Sequence, residues 1–340
     1  MIFSKLRNSI NFRIRSIYSK VSEYYWRIIN SIFISNRRNT KHKEKLFVFA
    51  PVWGEWHIDL FFKYTMPSLM QSGNLPSLSK QNEIIFYIYT MDEDIYKLDK
   101  EMKNRNYGYK FYIHSESDFY DKGRQLMSNF LIHILKICVN ENALMLLAQS
   151  DLIYSNNSVK NLVNLSEGKG VSIAVPHPRV SYECIEKHSI FDDDKEIDSD
   201  NLVSIAFKCK HHSLELCDEL LDCNLTHSSG VSTRKLGANI LAVTHNLPSV
   251  YLFSPIMDDV IFFSRRTEFN DIDKTWPHML LRQTRLKVVG SSSIAYIIEL
   301  TRDEPGIKGE PNMKHNDQYN DIKPAFNYAN SIINSWEFKE

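Results

Sequence analysis

Short apolar runs alternate with longer stretches of helical spacing from residue 46 onward, and this alternation constrains the fold more than anything else in the chain. Leu46–Ala50, Ile84–Thr90, Tyr109–Ile113, Leu144–Ala148, Ser172–Val175 and Val203–Phe207 read as strands. Ile58–Gln71, Asp92–Lys103, Gly123–Val139 and Ser155–Leu165 lie between them and carry apolar residues at helical steps. Strands and helices of these lengths in alternation build βαβ units and a parallel sheet. The expected fold is therefore α/β, a Rossmann-type, mostly parallel sheet flanked by helices. Ligands of such sheets bind beyond the carboxyl ends of the strands. The residues that close each strand are the first candidates for chemistry.

Two strand ends stand out. The first strand runs into Pro51-Val52-Trp53-Gly54-Glu55-Trp56-His57. Gly54 permits close backbone approach to a ligand. Trp53 and Trp56 offer flat faces for a base or a sugar ring, and Glu55 and His57 add polar groups. The fourth strand ends in Gln149-Ser150-Asp151, with a helix expected to follow directly. A carboxylate at Asp151 suits a divalent cation bridging a diphosphate, because Mg²⁺ favours one or two carboxylates plus phosphate oxygens.

Further candidates come later in the chain. His177 and Arg179 follow the strand Ser172–Val175, with Glu183 close behind, and Arg179 suits bidentate contact with phosphate. His211-His212 and His245 suit phosphate or metal contact. Asp258-Asp259 follow an expected strand, Val250–Phe253, and a paired acid there suits a general base if one member has a raised pKa. Lys287–Val289 also reads as a strand, and Ser293–Leu300 is another apolar run. The acidic stretch Asp192–Asp200 reads as a solvated loop. Residues 301–323 read as surface loop and Pro324–Trp336 as a closing helix.

Charge divides the chain unevenly. Residues 1–45 hold eleven Lys/Arg and two Glu, while the remainder holds thirty basic and thirty-nine acidic residues, so a net charge of zero hides a basic arm on an acidic body. Leu6, Ile10, Ile14, Ile17, Val21, Tyr24, Ile28 and Ile32 mark an amphipathic helix over residues 2–34. A basic helix of this kind lies in an anionic membrane surface; the alternative is packing on the protein's own core or on a partner. No stretch reaches the eighteen or so apolar residues that span a bilayer, and no secretory signal is visible. Five scattered cysteines without CxxC spacing fit reduced thiols in the cytoplasm. The acidic body argues against nucleic acid as a partner. P-loop, dinucleotide-binding, HExxH and GxSxG patterns are all missing from the sequence.

The order of these parts resembles a GT-A glycosyltransferase of bacterial surface-polysaccharide biosynthesis. Phe47–Glu55 resembles its first nucleotide-binding strand and loop. Met66-Pro67-Ser68-Leu69, continuing to Gly73-Asn74-Leu75-Pro76, resembles the stretch that follows. Leu144–Asp151 with Tyr154-Ser155 takes the place of the DxD element, although Gln149 stands where the first acid belongs. The resemblance covers roughly residues 46–300, between a basic arm (1–45) and a C-terminal loop and helix (301–340). It implies a nucleotide-sugar donor contacted by Trp53, Gly54, Glu55, Gln149, Asp151, Arg179 and His245. It also implies Mg²⁺ or Mn²⁺ on Asp151, with Asp259 or Asp258 taking a proton from a lipid-linked or glycan acceptor. The enzyme would work in the cytoplasm, peripherally on the inner membrane. A nucleotidyl- or phosphotransferase on a similar sheet, or a nucleotide- or carbohydrate-binding module without chemistry, remain open alternatives.

Overall fold

Strands β1 (Lys45–Pro51), β2 (Glu83–Thr90), β3 (Lys110–Ser115) and β4 (Leu144–Leu147) form the parallel half of the central sheet, in the order β3-β2-β1-β4. A computed structural model describes residues 45–119, 126–166, 170–188, 190–191, 196–209, 211, 216–217, 231–237, 240–245, 249–264, 275–303 and 334–337. The amphipathic helix expected over residues 2–34 lies outside them. Beyond β4 the sheet continues with β11 (Val250–Phe253), β6 (Ser172–Ala174) and β12 (Leu286–Val288). β11 is antiparallel to both of its neighbours, and β6 pairs parallel with β12.

Period-two alternation sends the strand side chains into two separate cores. Leu46, Val48, Ala50, Phe86, Ile88 and Leu146 face one layer. It is covered by α1 (Glu55–Leu60), a π-helical turn (Phe61–Thr65), α2 (Met66–Leu69), α3 (Leu75–Leu78), α4 (Ile95–Arg105) and α6 (Ser158–Ser166). Phe47, Phe49, Tyr87, Tyr89, Met145 and Leu147 face the other, covered by α5 (Leu126–Asn140), α9 (Met257–Ser264) and α10 (Thr275–Arg282). Strands buried on both faces read as continuous apolar runs, which is why Leu46–Ala50 and Leu144–Ala148 are conspicuous in the sequence. The chain steps outward through β1, β2 and β3, then returns to place β4 on the other side of β1. That reversal makes a topological switch point between β1 and β4, where sheets of this class bind ligands.

A second, three-stranded sheet lies beside the first. β5 (Leu152–Tyr154) runs antiparallel to β13 (Ile297–Thr301), which runs parallel to β7 (Arg179–Ser181). Ile153, Val180, Ile298 and Leu300 form its core with α7 (Tyr182–Glu186) and α8 (Ser199–Lys208). A third sheet has the order β14-β10-β9-β8, from β8 (Leu216–Cys217), β9 (Val231–Gly237), β10 (Ile240–His245) and β14 (Asn334–Glu337).

Four expectations are corrected. Val203–Phe207 belongs to α8 and not to a strand: the Asp198 carboxylate caps the helix by accepting from Asn201 N at 2.8 Å, and Leu202, Val203 and Ala206 are buried at helical spacing. The acidic stretch is only partly a solvated loop. Glu196 accepts from Ser72 N (2.9 Å) and Asn156 Nδ2 (2.7 Å), and Ile197 is buried in the core, its N–H donating to Gln71 Oε1. Residues 334–337 form strand β14 against β10, so the helix expected over 324–336 does not reach its end; residues 304–333 lie outside the described set. Finally, Asp151 is followed by strand β5 and not directly by a helix. This last difference determines the candidate site.

Candidate functional site

Asp151 sits in a tight connection between two sheets. Ala148 N–H donates to Phe49 O at 2.8 Å, extending the β1–β4 ladder past its end. The Thr65 hydroxyl lies 3.2, 2.8 and 2.8 Å from the carbonyl oxygens of Gln149, Ser150 and Leu152. Thr65 closes the π-helical turn, an irregularity frequent at functional sites. The Tyr154 hydroxyl donates to Leu147 O from within the core. With so many anchors, the backbone at Asp151 has little freedom.

Entry into β5 brings Asp151 beside β13. Leu300 N–H donates to Asp151 O at 2.8 Å, and the preceding residue is Glu299. Both carboxylate oxygens of Glu299 are engaged, Oε1 by Arg179 Nε at 2.9 Å and Oε2 by His177 Nε2 at 2.9 Å. The His177 ring meets the Tyr251 ring edge to face, with centroids 5.4 Å apart. Two acids, a guanidinium and an imidazole thus gather where β4, β5, β7 and β13 meet. Burial, and then the charge of Glu299, push the Asp151 carboxyl up to about 7, against the opposing pull of His177 and Arg179.

His57 and Arg302 complete this corner. His57 Nδ1 lies 2.9 Å from Ser150 Oγ. Burial and the nearby Arg302 charge hold the His57 pKa below its ordinary value. The Arg302 guanidinium stacks over the Trp56 ring at 4.4 Å. Trp56 Nε1 is buried without a hydrogen-bond partner among the described residues.

The loop after β1 reaches the same edge, because β1 and β4 are adjacent and parallel. Trp53 packs on Phe130 with ring centroids 6.3 Å apart, and Glu55 is exposed in the first turn of α1. Gly54 has φ 78° and ψ 147°, and its N–H donates to Asp94 Oδ2 at 2.6 Å. Side chains other than hydrogen adopt such angles only under strain. A Cβ at Gly54 would meet nothing within 4 Å, so the cost of Gly54→Ala is purely conformational. Urea denaturation should register a loss of about 1–3 kcal/mol. Further along this edge, Thr90 Oγ1 and His114 Nε2 are buried without partners among the described residues, next to a Tyr89–His133 hydrogen bond of 2.8 Å. These are polar atoms that a ligand could satisfy.

Asp258 and Asp259 do not join this site. β11 runs antiparallel to β4, with Phe253 opposite Met145, so the chain leaves β11 at the amino edge of the parallel strands. Asp259 is fully buried there in an ion pair with Arg285 at 2.8 Å. The arrangement takes these acids, expected to receive the acceptor's proton, away from the edge where Asp151 stands. His211 is tied to the Arg302 carbonyl at 3.0 Å, and Glu183 accepts from Asp303 N at 3.0 Å, so both serve the frame. His245 closes β10, and its side chain lies outside the described residues, as does His212. The expectation of reduced thiols is corrected for two of the five: Cys184 and Cys209 form a disulfide, while Cys138 stays a buried thiol.

Glu299 is the residue that sequence reasoning misses. Its signal is a single acid inside the apolar run Ile297-Ile298-Glu299-Leu300, and a buried charge in a strand demands partners. For Mg²⁺ or Mn²⁺ the donor set is thin. Gln149 is neutral and Glu299 is already engaged, so of these three residues Asp151 alone offers a carboxylate, and an ion there would have to complete its shell with substrate oxygens.

No protein-family model matches the chain, and no curated protein matches it. Among solved structures it is similar to 4-diphosphocytidyl-2C-methyl-D-erythritol synthase from Anaerococcus prevotii, at 8% identity and a TM-score of 0.37, covering 84% of this chain and 96% of that one. It is similar to the inositol-1-phosphate CTP transferase of T. maritima at 11% identity and a TM-score of 0.37, with the same two coverages of 84% and 96%. A mannose-6-phosphate isomerase from Helicobacter pylori aligns at 14% identity and a TM-score of 0.25, over 45% of this chain and 68% of that one.

Proposed function

We propose that the chain is a nucleotide-dependent transferase working at the carboxyl edge between β1 and β4, with Asp151 as its acid–base group. One observation carries the reading. A half-buried carboxyl with a pKa raised to about 7 stands beside a second acid pinned by Arg179 and His177, at the switch point of a mostly parallel sheet. A pKa near the working pH suits a group that takes and returns a proton.

In detail, the donor nucleotide lies along the edge formed by Trp53, Gly54 and Glu55. Asp151 accepts the proton of an attacking acceptor group. Arg179 and Arg302 offset the charge of the departing phosphates. If the donor is a nucleotide sugar, the glycosyl group moves and a nucleoside diphosphate is released. The loop Val52–Glu55 favours this version, since it carries no Lys or Arg for a triphosphate and its Gly54 N–H is already held by Asp94. If the donor is a nucleoside triphosphate, the nucleotidyl group moves to a phosphate-bearing acceptor and pyrophosphate is released. The cations beyond β4, Arg179 and Arg302, favour that version. Mg²⁺ or Mn²⁺ arriving on the phosphates would meet Asp151 and add Lewis-acid charge. The basic segment 2–34 would hold the enzyme on an anionic membrane surface, within reach of a lipid-linked or glycan acceptor. An inner-membrane, cytoplasmic placement rests on that segment, because the disulfide withdraws the argument from scattered cysteines.

Product identity is the test. The full chain is incubated with nucleotide sugars, or with nucleoside triphosphates plus sugar phosphates, each with Mn²⁺. Nucleoside diphosphate marks glycosyl transfer, and pyrophosphate marks nucleotidyl transfer. A nucleotide that binds should raise stability by about 2.7 kcal/mol at a hundredfold excess over its Kd. Binding without either product would leave a binding module, and neither binding nor product would overturn the reading.

A further inference from the structure

Cys184, His188 and Cys209 place two sulfurs and an imidazole nitrogen within 4.8 Å of one another. Among the described residues they are the one His/Cys/Asp/Glu trio so disposed. Cys184 belongs to α7, His188 follows one turn later, and Cys209 ends α8. The frame around them is well fixed. Ser181 Oγ caps α7 by accepting from Cys184 N at 3.2 Å, Ser181 N–H donates to Cys209 O at 2.7 Å, and His188 N–H donates to Ile185 O at 3.0 Å. Cys209 is buried, Cys184 half-buried and His188 exposed.

We propose that this trio, with its sulfurs reduced, is a binding site for a soft divalent cation, Zn²⁺ in particular. Two thiolates and an imidazole form a donor set for Zn²⁺ and a poor one for Mg²⁺ or Ca²⁺. Zn–S bonds of about 2.3 Å in a tetrahedral site set two sulfurs about 3.8 Å apart. The Cα atoms of Cys184 and Cys209 stand 5.3 Å apart, and reduction of the bond between the sulfurs frees both side chains to turn toward that spacing. Three protein ligands leave the fourth position open to water, on the exposed side where His188 stands. The site is separate from the Asp151 corner, yet it touches the same frame: Cys209 O holds β7, and His211 N–H donates to Arg179 O at 3.3 Å.

The disulfide and the metal site exclude each other. A phosphine reductant delivers two electrons to the S–S bond and is itself oxidised, taking oxygen from water, while the two sulfurs take up two protons. Zn²⁺ then displaces those protons as the two Zn–S bonds form. Formation of the site therefore releases protons and weakens as pH falls.

Metal counting on the full chain tests this. Phosphine-reduced protein is desalted anaerobically, equilibrated with Zn²⁺, desalted again and analysed for metal. About one tightly held Zn²⁺ per reduced chain is expected, and none in the oxidised protein. Co²⁺ in place of Zn²⁺ should give thiolate-to-metal charge-transfer absorption. Cys184→Ser and Cys209→Ser should lose both signals, whereas Cys217→Ser and Cys223→Ser should keep them. His188→Ala alters an exposed side chain, so it remains informative should the cysteine variants fail to fold; it should weaken binding and shift the Co²⁺ spectrum. Reduced protein with native circular dichroism and no bound Zn²⁺ would overturn the proposal. So would wild-type binding by His188→Ala, or retention of the ion by folded Cys184→Ser and Cys209→Ser.

Discussion

Asp151→Asn is expected to abolish most turnover and, at the same time, to stabilise the protein above pH 7. The two effects share a cause. Burial and the neighbouring Glu299 raise the Asp151 carboxyl from the ordinary 3.8 to about 7. An acid with a raised pKa in the folded state holds its proton after the unfolded chain has lost it. Between pH 4 and 7 the folded state therefore binds more protons, and stability falls as pH rises. The penalty is absent below the unfolded value and complete above the folded one. Converted at 1.36 kcal/mol per unit, and discounted for the partial exposure of Asp151, it is on the order of 2–4 kcal/mol. Asn is neutral throughout, so its advantage over Asp should be negligible at pH 4 and largest at pH 8, as read by urea denaturation at both. Loss of a general base should lower turnover by about 10²–10⁴-fold. In the wild type, turnover should rise with pH through a midpoint near 7, as Asp151 ionises. Glu299→Gln removes the like charge and should move that midpoint to lower pH. Wild-type turnover in Asp151→Asn would end the catalytic assignment. A stability difference that is the same at both pH values would end the electrostatic one.

Much of this arrangement is legible in the amino-acid sequence. The runs at 46–50, 84–89 and 144–148 are apolar throughout, and only strands buried on both faces need that. They locate β1, β2 and β4, and with them the edge on which Trp53, Gly54 and Asp151 stand. What stays hidden is long-range. Glu299 lies 148 positions from Asp151 in the chain, and only the pairing of β13 with β5 and β7 brings it beside Asp151 and Arg179. Helix α8 is disguised by its composition, since Leu202-Val203-Ser204-Ile205-Ala206 is as β-branched as a strand. The Asp198 cap, the burial of every third or fourth residue and the absence of a pairing partner among the described residues make it a helix. The direction of β11 is the costliest omission. Apolar composition reveals that a strand exists and not which way it runs, and reversing one strand carries Asp258 and Asp259 to the opposite edge of the sheet.

Asp259 should prove decisive for folding, whereas the role proposed for Asp151 is chemical. Its carboxylate is inaccessible to solvent and accepts from Arg285 Nη2 (2.8 Å), Arg285 Nη1 (3.1 Å), Ile256 N (2.8 Å) and Trp276 Nε1 (3.2 Å). Arg285 Nη2 also donates to Ser254 O at 2.8 Å. One acid thus joins the turn after β11, the start of α9, the ring of α10 that stacks on Phe253 at 4.1 Å, and the residue before β12. Asp259→Ala would leave the half-buried Arg285 guanidinium without its counter-charge. Breaking a buried pair from one side costs about 3–5 kcal/mol, a large share of the roughly 5–15 kcal/mol that keeps a domain folded. The expected result is a denaturation midpoint lowered to the edge of folding at ambient temperature. Asp259→Leu combined with Arg285→Met removes both charges and should recover part of the loss; Ile256 N and Trp276 Nε1 lose the carboxylate that accepts from them, so recovery is incomplete. Turnover measured on the folded fraction separates structure from chemistry. If Asp259 only holds the frame, the recovered double variant turns over at a rate close to wild type. A stable double variant without activity would return Asp259 to the catalytic machinery, against its place on the opposite edge of the sheet.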